Sequence, residues 1–158
     1  MATEIERKFL LRGDGWRGLA DGGTAIRQFY LAVREGLTLR VRLREGRPAM
    51  ITVKTGAGSA RGEYEYPIPP ADAAELEAAR IGLVVEKRRH LVPLGGLTVE
   101  IDVFGGALAP LVVAEIELPS PDHPLVLPDW IGTEVTADRR YANAALALKG
   151  RPDAREAD

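Results

Sequence analysis

Side chains alternate between apolar and polar along eight short segments of this chain, and a period of two is the signature of β-strands. The clearest case is segment 37–45, where leucines and a valine at odd positions alternate with a threonine and three arginines at even positions. The other segments with this pattern are 3–11, 25–33, 49–55, 62–68, 84–92, 97–104 and 111–118. The sequence therefore predicts eight strands.

Helical signals are fewer. Segment 70–80 begins with proline, has an acidic first turn and continues through alanine-rich sequence, so it predicts a helix. A second helix is predicted over 138–149, with Thr136 or Asp138 as its N-cap and Gly150 as its stop. The proline-rich segment 120–132 is predicted to be irregular, with at most one short helical turn.

Eight strands and two helices cannot cover both faces of an open sheet, so one face must be solvated or enclosed. We expect a mainly β fold with some α (α+β). In it a closed eight-stranded antiparallel β-barrel surrounds a polar, charged lumen, and a few helices pack outside. The alternative is a flat sheet with one solvated face. One domain is expected over residues 1–150, followed by a charged flexible tail at 151–158.

Composition excludes several classes of function. The 158 residues include no cysteine, which excludes thiolate metal sites and cysteine nucleophiles. No apolar stretch approaches the roughly 20 residues of a membrane span. Glu4 and Glu6 stand where a signal peptide needs basic and then apolar residues, so a cytoplasmic location is expected. A net charge of −2 gives no basis for binding a nucleic acid polymer. The sequence leaves a homodimer open.

Carboxylates occur on the polar face as pairs two residues apart, and such pairs point the same way on a strand. The pairs are Glu4/Glu6, Glu63/Glu65, Glu100/Asp102 and Glu115/Glu117. Adjacent carboxylates repel each other unless a cation lies between them, and hard divalent cations such as Mg²⁺ or Mn²⁺ prefer oxygen ligands. This pattern favours a metal site, although a solvated face with cross-strand ion pairs is the alternative for any single pair.

The same face carries basic side chains that could bind phosphate groups, and three of the four lysines are among them. These residues are Lys8, Arg40, Arg42, Lys54, Lys87 and Arg89. Arginine offers forked donors for phosphate oxygens, and lysine offers a compact charge. Phosphoryl transfer depends mainly on positioning and charge neutralisation. Acids and bases in one lumen therefore make metal-dependent chemistry on a triphosphate plausible.

Seven motifs in order resemble the CYTH superfamily of triphosphate tunnel metalloenzymes, and in particular its short bacterial inorganic triphosphatases. The first, Glu4-Ile5-Glu6-Arg7-Lys8, has the ExExK signature. The others are Arg40-Val41-Arg42, Thr52-Val53-Lys54, Glu63-Tyr64-Glu65-Tyr66, Lys87-Arg88-Arg89, Glu100-Ile101-Asp102-Val103-Phe104 and Ala114-Glu115-Ile116-Glu117-Leu118, followed by similar residues at 132–136 and 141–143. The resemblance covers residues 3 to 148.

The resemblance implies an eight-stranded antiparallel tunnel open at both ends, a dependence on Mg²⁺ or Mn²⁺, and a small-molecule triphosphate substrate. It implies metal ligands at Glu4, Glu6, Asp102, Glu115 and Glu117. It implies phosphate-binding residues at Lys8, Arg40, Arg42, Lys54, Lys87 and Arg89. Lys87 is our candidate for the group beside the reacting phosphoryl group or its water, with Glu4 and Glu117 as further catalytic residues. Glu63, Glu65 and Glu100 are lumen acids that either hold cations or pair with them.

Hydrolysis of inorganic tripolyphosphate to pyrophosphate and phosphate is the expected activity, because the motifs supply charge but no aromatic platform for a base or thiazole ring. Two alternatives on the same fold are a class IV-type adenylate cyclase and a thiamine-triphosphatase. An alternative of another class is a non-catalytic module that binds polyphosphate or nucleotides.

Two further features are expected to lie outside the catalytic chemistry. The glycine-rich loop at 56–62 lacks the ending of a phosphate-binding loop, although Arg61 could reach a tunnel mouth. His90 has the opposite parity to Lys87 and Arg89, so it should face away from the lumen.

Overall fold

The computed structural model describes residues 2–56 and 60–152, which form nine strands and two α-helices. The strands are β1 (Ala2–Leu11), β2 (Thr24–Arg34), β3 (Leu37–Arg44), β4 (Ala49–Thr55), β5 (Ala60–Ile68), β6 (Ile81–Leu94), β7 (Leu97–Phe104), β8 (Val112–Glu117) and β9 (Ile131–Glu134). The helices are α1 (Pro70–Glu77) and α2 (Asn143–Lys149), and short 3-10 helices lie at Arg17–Leu19, Gly106–Leu108 and Arg139–Tyr141.

Eight of the strands form one closed antiparallel barrel in the order β5-β4-β3-β2-β6-β7-β8-β1, and pairing between β1 and β5 closes it. The predicted eight-stranded barrel is therefore confirmed. Closure matters for the site because alternate side chains of every strand must point into the same enclosed space.

Strand β9 is the element that the sequence did not predict. It pairs with β1 at Phe9↔Glu134 and Leu11↔Ile131, beyond the last β5 partner at Ile5↔Ala60. Gly132 allows this approach, because a Cβ there would lie 3.0 Å from the Leu10 carbonyl oxygen. The prediction of an irregular segment over 120–132 is therefore wrong for Ile131 and Gly132, which belong to β9. Four residues are too few to show alternation, and the strand forms because the edge of β1 offers it backbone partners.

Loops and the first helix cover parts of the outward face of the barrel. Phe9, Ile101 and Ile116 are fully buried there with Trp16 and Trp130, which supply cover from irregular segments. Ala73 of α1 packs in a second outer cluster, against Phe29, Val41 and Ala49. Helix α1 ends at Glu77 rather than at the predicted residue 80.

The second predicted helix is split in two. The Asp138 side chain accepts a hydrogen bond from the Arg140 backbone N–H, which supports a 3-10 turn, and Ala142 is then extended (φ −64°, ψ 140°). Helix α2 begins only at Asn143 and ends, as predicted, at Gly150. A continuous helix over 138–149 is therefore a wrong prediction.

Helix α2 packs on side chains that point into the barrel. Leu146 and Ala147 are fully buried in a cluster with the inward-facing Val85, Phe104 and Val113. The helix thus packs against inward-facing side chains of β6, β7 and β8.

No helix in the described parts of the chain has the length and apolar character needed to cross a membrane. The tail predicted at 151–158 lies outside the described residues from position 153 onward.

We expect Gly82→Ala to loosen the docking of α2. Gly82 has φ +71°, and a Cβ there would lie 2.4 Å from the Ala147 carbonyl oxygen. Gly36→Ala is the matched control, since Gly36 has φ +76° but no atom within 4 Å of an added Cβ. In urea unfolding, the control should cost about 1–2 kcal/mol for its left-handed backbone, and Gly82→Ala about 1–3 kcal/mol more for the clash. Equal losses in the two variants would contradict this packing.

Candidate active site

A cavity of about 310 Å³ lies inside the barrel and is lined mainly by charged side chains. Of the site residues predicted from the sequence, all except Lys87 and Asp102 line it. The lining residues that the sequence analysis did not place in the site are Tyr30, Thr38, Arg44, Arg47, Arg61, Ala142, Asn143 and Ala144.

Strand pairing brings the carboxylates of β1 and β8 together. Glu6 is opposite Glu117 and Lys8 is opposite Glu115 in the register of the two strands. The Lys8 ammonium lies 3.3 Å from Glu115, which gives this one carboxylate a cation at close range. The two ExE pairs therefore form one acidic wall, as their period of two predicts.

Glu6 and Glu115 differ in how readily their carboxyl groups hold a proton. Burial and the neighbouring Glu115 carboxylate raise the pKa of Glu6 to about 8. Although burial works in the opposite direction, Lys8, Arg89 and Lys87 hold the pKa of Glu115 well below its usual range. The proton therefore resides on Glu6, because Glu115 has the better cationic partners.

Glu4, near the start of β1, is held by two cations at the other side of this wall. Lys54 lies 3.0 Å from Glu4 and 3.6 Å from Glu63. Arg61 lies 3.5 Å from Glu4 and 3.6 Å from Glu6, so it does reach the cavity. The loop before it, at 57–59, lies outside the described residues.

Arg40 and Arg42 form a cationic wall that has no carboxylate partner among the residues described. Arg40 is 5% exposed. Its terminal nitrogen donates a long 3.5 Å hydrogen bond to Thr52 Oγ1, and its Nε has no partner in the described parts of the chain. Arg42 Nε donates to the side-chain oxygen of Gln28 at 2.8 Å. Burial and the neighbouring Arg40 and Arg89 lower the pKa of Arg42 to about 9. Both guanidinium groups lack the negative charge that buried cations require.

Lys87 and Asp102 lie behind the cavity wall in a compact ionic cluster. Lys87 Nζ is 2.7 Å from Asp102, and Arg89 binds both oxygens of Asp102 at 2.8 and 2.9 Å. Burial lowers the pKa of Lys87 to about 7, with Arg89 and Arg42 adding to the effect against the attraction of Asp102. Lys87 and Arg89 hold the pKa of Asp102 below its usual range despite its burial.

The C-terminal segment provides uncharged acceptors for the two buried lysines. The Tyr141 backbone carbonyl accepts from Lys8 Nζ at 3.1 Å, and Asn143 Oδ1 accepts from Lys87 Nζ at 3.2 Å. These contacts span more than 130 and 50 positions of the chain, respectively. The motif at 141–143 was visible in the sequence, but alternation could not show that it turns into the barrel.

His90 faces outward, as its parity predicts. Its ring lies 5.2 Å from that of Trp16, and its Nδ1 is 3.3 Å from the Asp21 carbonyl oxygen. It takes no part in the cavity.

The chemistry of the acidic wall fits a hard divalent cation. No group of three or more His, Asp or Glu side chains that could hold a metal ion is already assembled within residues 2–56 and 60–152. However, burial and the neighbouring Glu115 carboxylate favour the protonated form of Glu6, and a cation could take the place of that proton. Every donor on this wall is a carboxylate oxygen, the type of ligand that hard cations prefer.

A closed antiparallel barrel whose cavity places carboxylates opposite arginines defines a β-tunnel protein built for a small, highly charged ligand. The chain belongs to the CYTH domain family, which matches residues 2–145. This confirms the resemblance deduced from the motifs, and the triphosphate tunnel metalloenzymes of this family imply a divalent metal.

The chain is similar to inorganic triphosphatases over almost its whole length. An inorganic triphosphatase of Acetivibrio thermocellus is 42% identical over 147 residues, which are 92% of this chain and 94% of the relative. An inorganic triphosphatase of Nitrosomonas europaea is 40% identical over 153 residues, covering 92% and 97% of the two chains. The crystal structure of the inorganic triphosphatase NE1496 superposes with a TM-score of 0.67 at 39% identity, covering 94% and 96%.

The raised pKa of Glu6 predicts that the protein in EDTA loses stability as the pH rises. Between the ordinary value of 4.5 and about 8, folded Glu6 holds a proton that the unfolded chain has released, so unfolding becomes easier across this window. The free energy of unfolding should therefore decrease between pH 5 and 8.5. We expect this decrease to be about 1–3 kcal/mol smaller in Glu6→Gln than in the wild type. Urea unfolding at several pH values measures it, and parallel curves for the two proteins would contradict the assignment. Some slope should remain, because burial also raises the pKa of Glu4 and Glu117.

Proposed function

We propose that this protein hydrolyses inorganic tripolyphosphate to pyrophosphate and phosphate in a reaction that depends on a divalent metal. The observation that carries the proposal is the division of charge in the cavity. Arg40 and Arg42 lack an anion on one side, while on the other side burial and the crowding of Glu115 raise the pKa of Glu6 to about 8 even though Arg61 lies 3.6 Å away. A metal-bound polyphosphate supplies both missing charges at once.

The lining of the cavity favours a substrate without an organic group. Tyr30 is the one aromatic residue that the described lining contains, and charged groups dominate the rest. Base and thiazole rings need stacking surface, which this lining does not supply. The names of the two relatives above support the same substrate.

The proposed metal ligands are Glu4, Glu6, Asp102, Glu115 and Glu117, with Mg²⁺ or Mn²⁺ as the ion. When bound, such an ion neutralises phosphate oxygens and lowers the pKa of bound water. Glu4, which pairs with Lys54 and Arg61, and Glu6, which pairs with Arg61, would hold this ion. Asp102 also fixes Lys87 and Arg89, so its carboxylate links the acidic and the basic parts of the site.

The phosphate groups are held by Lys8, Arg40, Arg42, Lys54, Lys87 and Arg89. Lys87 is proposed to lie beside the reacting phosphoryl group or its water, because Asp102 and Asn143 hold its ammonium at the edge of the site. The other lumen acids have partners that suit a supporting role: Glu63 contacts Lys54, and Glu100 accepts a hydrogen bond from Arg89 at 3.1 Å. Glu65 lines the cavity.

The first experiment measures phosphate release from tripolyphosphate, ATP, thiamine triphosphate and pyrophosphate with Mg²⁺ or Mn²⁺. We expect tripolyphosphate to be the best substrate and EDTA to abolish its turnover, because the reaction needs a cation on the acidic wall. Formation of cyclic AMP, or selective turnover of thiamine triphosphate, would replace the proposed substrate. Tight binding of tripolyphosphate without turnover would identify a binding module instead.

Glu4→Gln and Glu117→Gln each test the acidic wall. Each change keeps the shape of the side chain but removes a charged oxygen ligand, so we expect metal-dependent turnover to fall at least about a hundredfold. Thermal unfolding should show that both variants remain folded. Glu86→Gln is the control, since Glu86 lies on the outside of the barrel with its side chain 58% exposed. Full activity in either wall variant would remove that residue from the metal site.

The cytoplasmic location, the homodimer and the absence of nucleic acid and membrane partners rest on the sequence alone and stay predictions.

A further inference from the structure

The cations of the cavity differ in what holds them. Lys8, Lys54, Lys87 and Arg89 each contact a carboxylate. Arg42 has no ion pair within the described chain, and the side chain of Gln28 is its hydrogen-bond acceptor. Arg42 is therefore oriented by a neutral group and keeps its full charge.

Gln28 is enclosed behind this arginine. It lies on β2 opposite Arg42 of β3 and Val85 of β6, is 0% exposed, and does not line the cavity. The orientation of its amide is settled by chemistry, because arginine nitrogens only donate and Arg42 must therefore meet the amide oxygen. The amide nitrogen is buried and has no hydrogen-bond partner within residues 2–56 and 60–152, a cost that a purely structural position would avoid with an apolar residue.

A carboxylate in place of this amide would accept the same hydrogen bond but would change the charge around Arg42. Glutamate has the shape of glutamine, so it could accept from Arg42 Nε at the same distance. Its negative charge would neutralise Arg42 and compete with any anion in the cavity. A neutral acceptor fixes the guanidinium without this competition, and the terminal nitrogens stay available for the cavity side.

We propose that Gln28 is a positioning residue that aims Arg42 at a substrate phosphate while leaving its charge uncompensated. The inference rests on the proposed function for the identity of the anion. It adds a residue of the second barrel strand to the site, and this residue never touches substrate itself.

Gln28→Glu separates positioning from simple packing. We expect it to unfold thermally at or above the temperature of the wild type, because it keeps the hydrogen bond and adds an ion pair. We expect its affinity for tripolyphosphate, measured by calorimetry in EDTA, to fall about tenfold to a hundredfold. With metal, KM should rise by a similar factor, and kcat should change less. Ala25→Glu is the matched control, because it adds the same charge at an exposed position of the same strand.

Gln28→Met provides the second variant. It fills a similar volume without an acceptor, so Arg42 loses its orientation but keeps its charge. We expect tripolyphosphate affinity to fall about threefold to tenfold, less than in Gln28→Glu.

The outcomes are distinct. Wild-type affinity in Gln28→Glu overturns the inference, and so does a loss that appears only together with a lower unfolding temperature. A wild-type protein that binds tripolyphosphate in EDTA but does not hydrolyse it with metal overturns the proposed hydrolysis, while Gln28 is still judged by binding. A wild-type protein that binds neither tripolyphosphate nor pyrophosphate overturns both.

Discussion

Enclosing charge inside a β-barrel is the constraint on which the rest of this structure depends. A buried ion costs several kcal/mol unless an opposite charge or several hydrogen bonds compensate for it. In the cluster of Lys87, Asp102 and Arg89, each charge has an opposite charge within hydrogen-bonding distance. Arg40 and Arg42 do not meet it, and Glu6 meets it only in part, through Arg61. The uncompensated groups mark the place where a ligand contributes to the stability of the protein.

The barrel also explains how a few side chains are enough to build the charged site. Alternate residues of each strand point inward, and the register sets them opposite residues of the neighbouring strands. Lys8 thus meets Glu115, and Arg89 meets Asp102, through strand pairing alone. Residues such as Thr52 and Gln28 then adjust the cations that lack a charged partner. The precision of the site is therefore a property of the sheet rather than of mobile loops.

Alternation of the kind seen at Arg40 and Arg42, or at Glu115 and Glu117, was enough to predict eight strands and their inward faces. It also identified most of the residues that line the cavity. A period of two is a local property, so it survives in a single sequence. What depends on distant partners could not be read in this way. Strand β9 forms because the edge of β1 is free beyond β5. The predicted C-terminal helix breaks at Ala142 and turns Asn143 towards Lys87. Gln28 looked like an ordinary polar strand residue, because its role exists only beside Arg42.

The return of the C-terminal segment to Lys8 has a consequence for how the molecule is made. Strand β1 leaves the ribosome early, but its neighbours β8 and β9 and the carbonyl of Tyr141 follow more than a hundred residues later. The part of β1 that carries Lys8 must therefore wait for these neighbours, although the first residues of the strand can pair with β5 earlier. A chain that stops short of residue 141 leaves the buried Lys8 ammonium with Glu115 but without the carbonyl oxygen of Tyr141. Only a nascent chain translated past this point can close the barrel around satisfied charges.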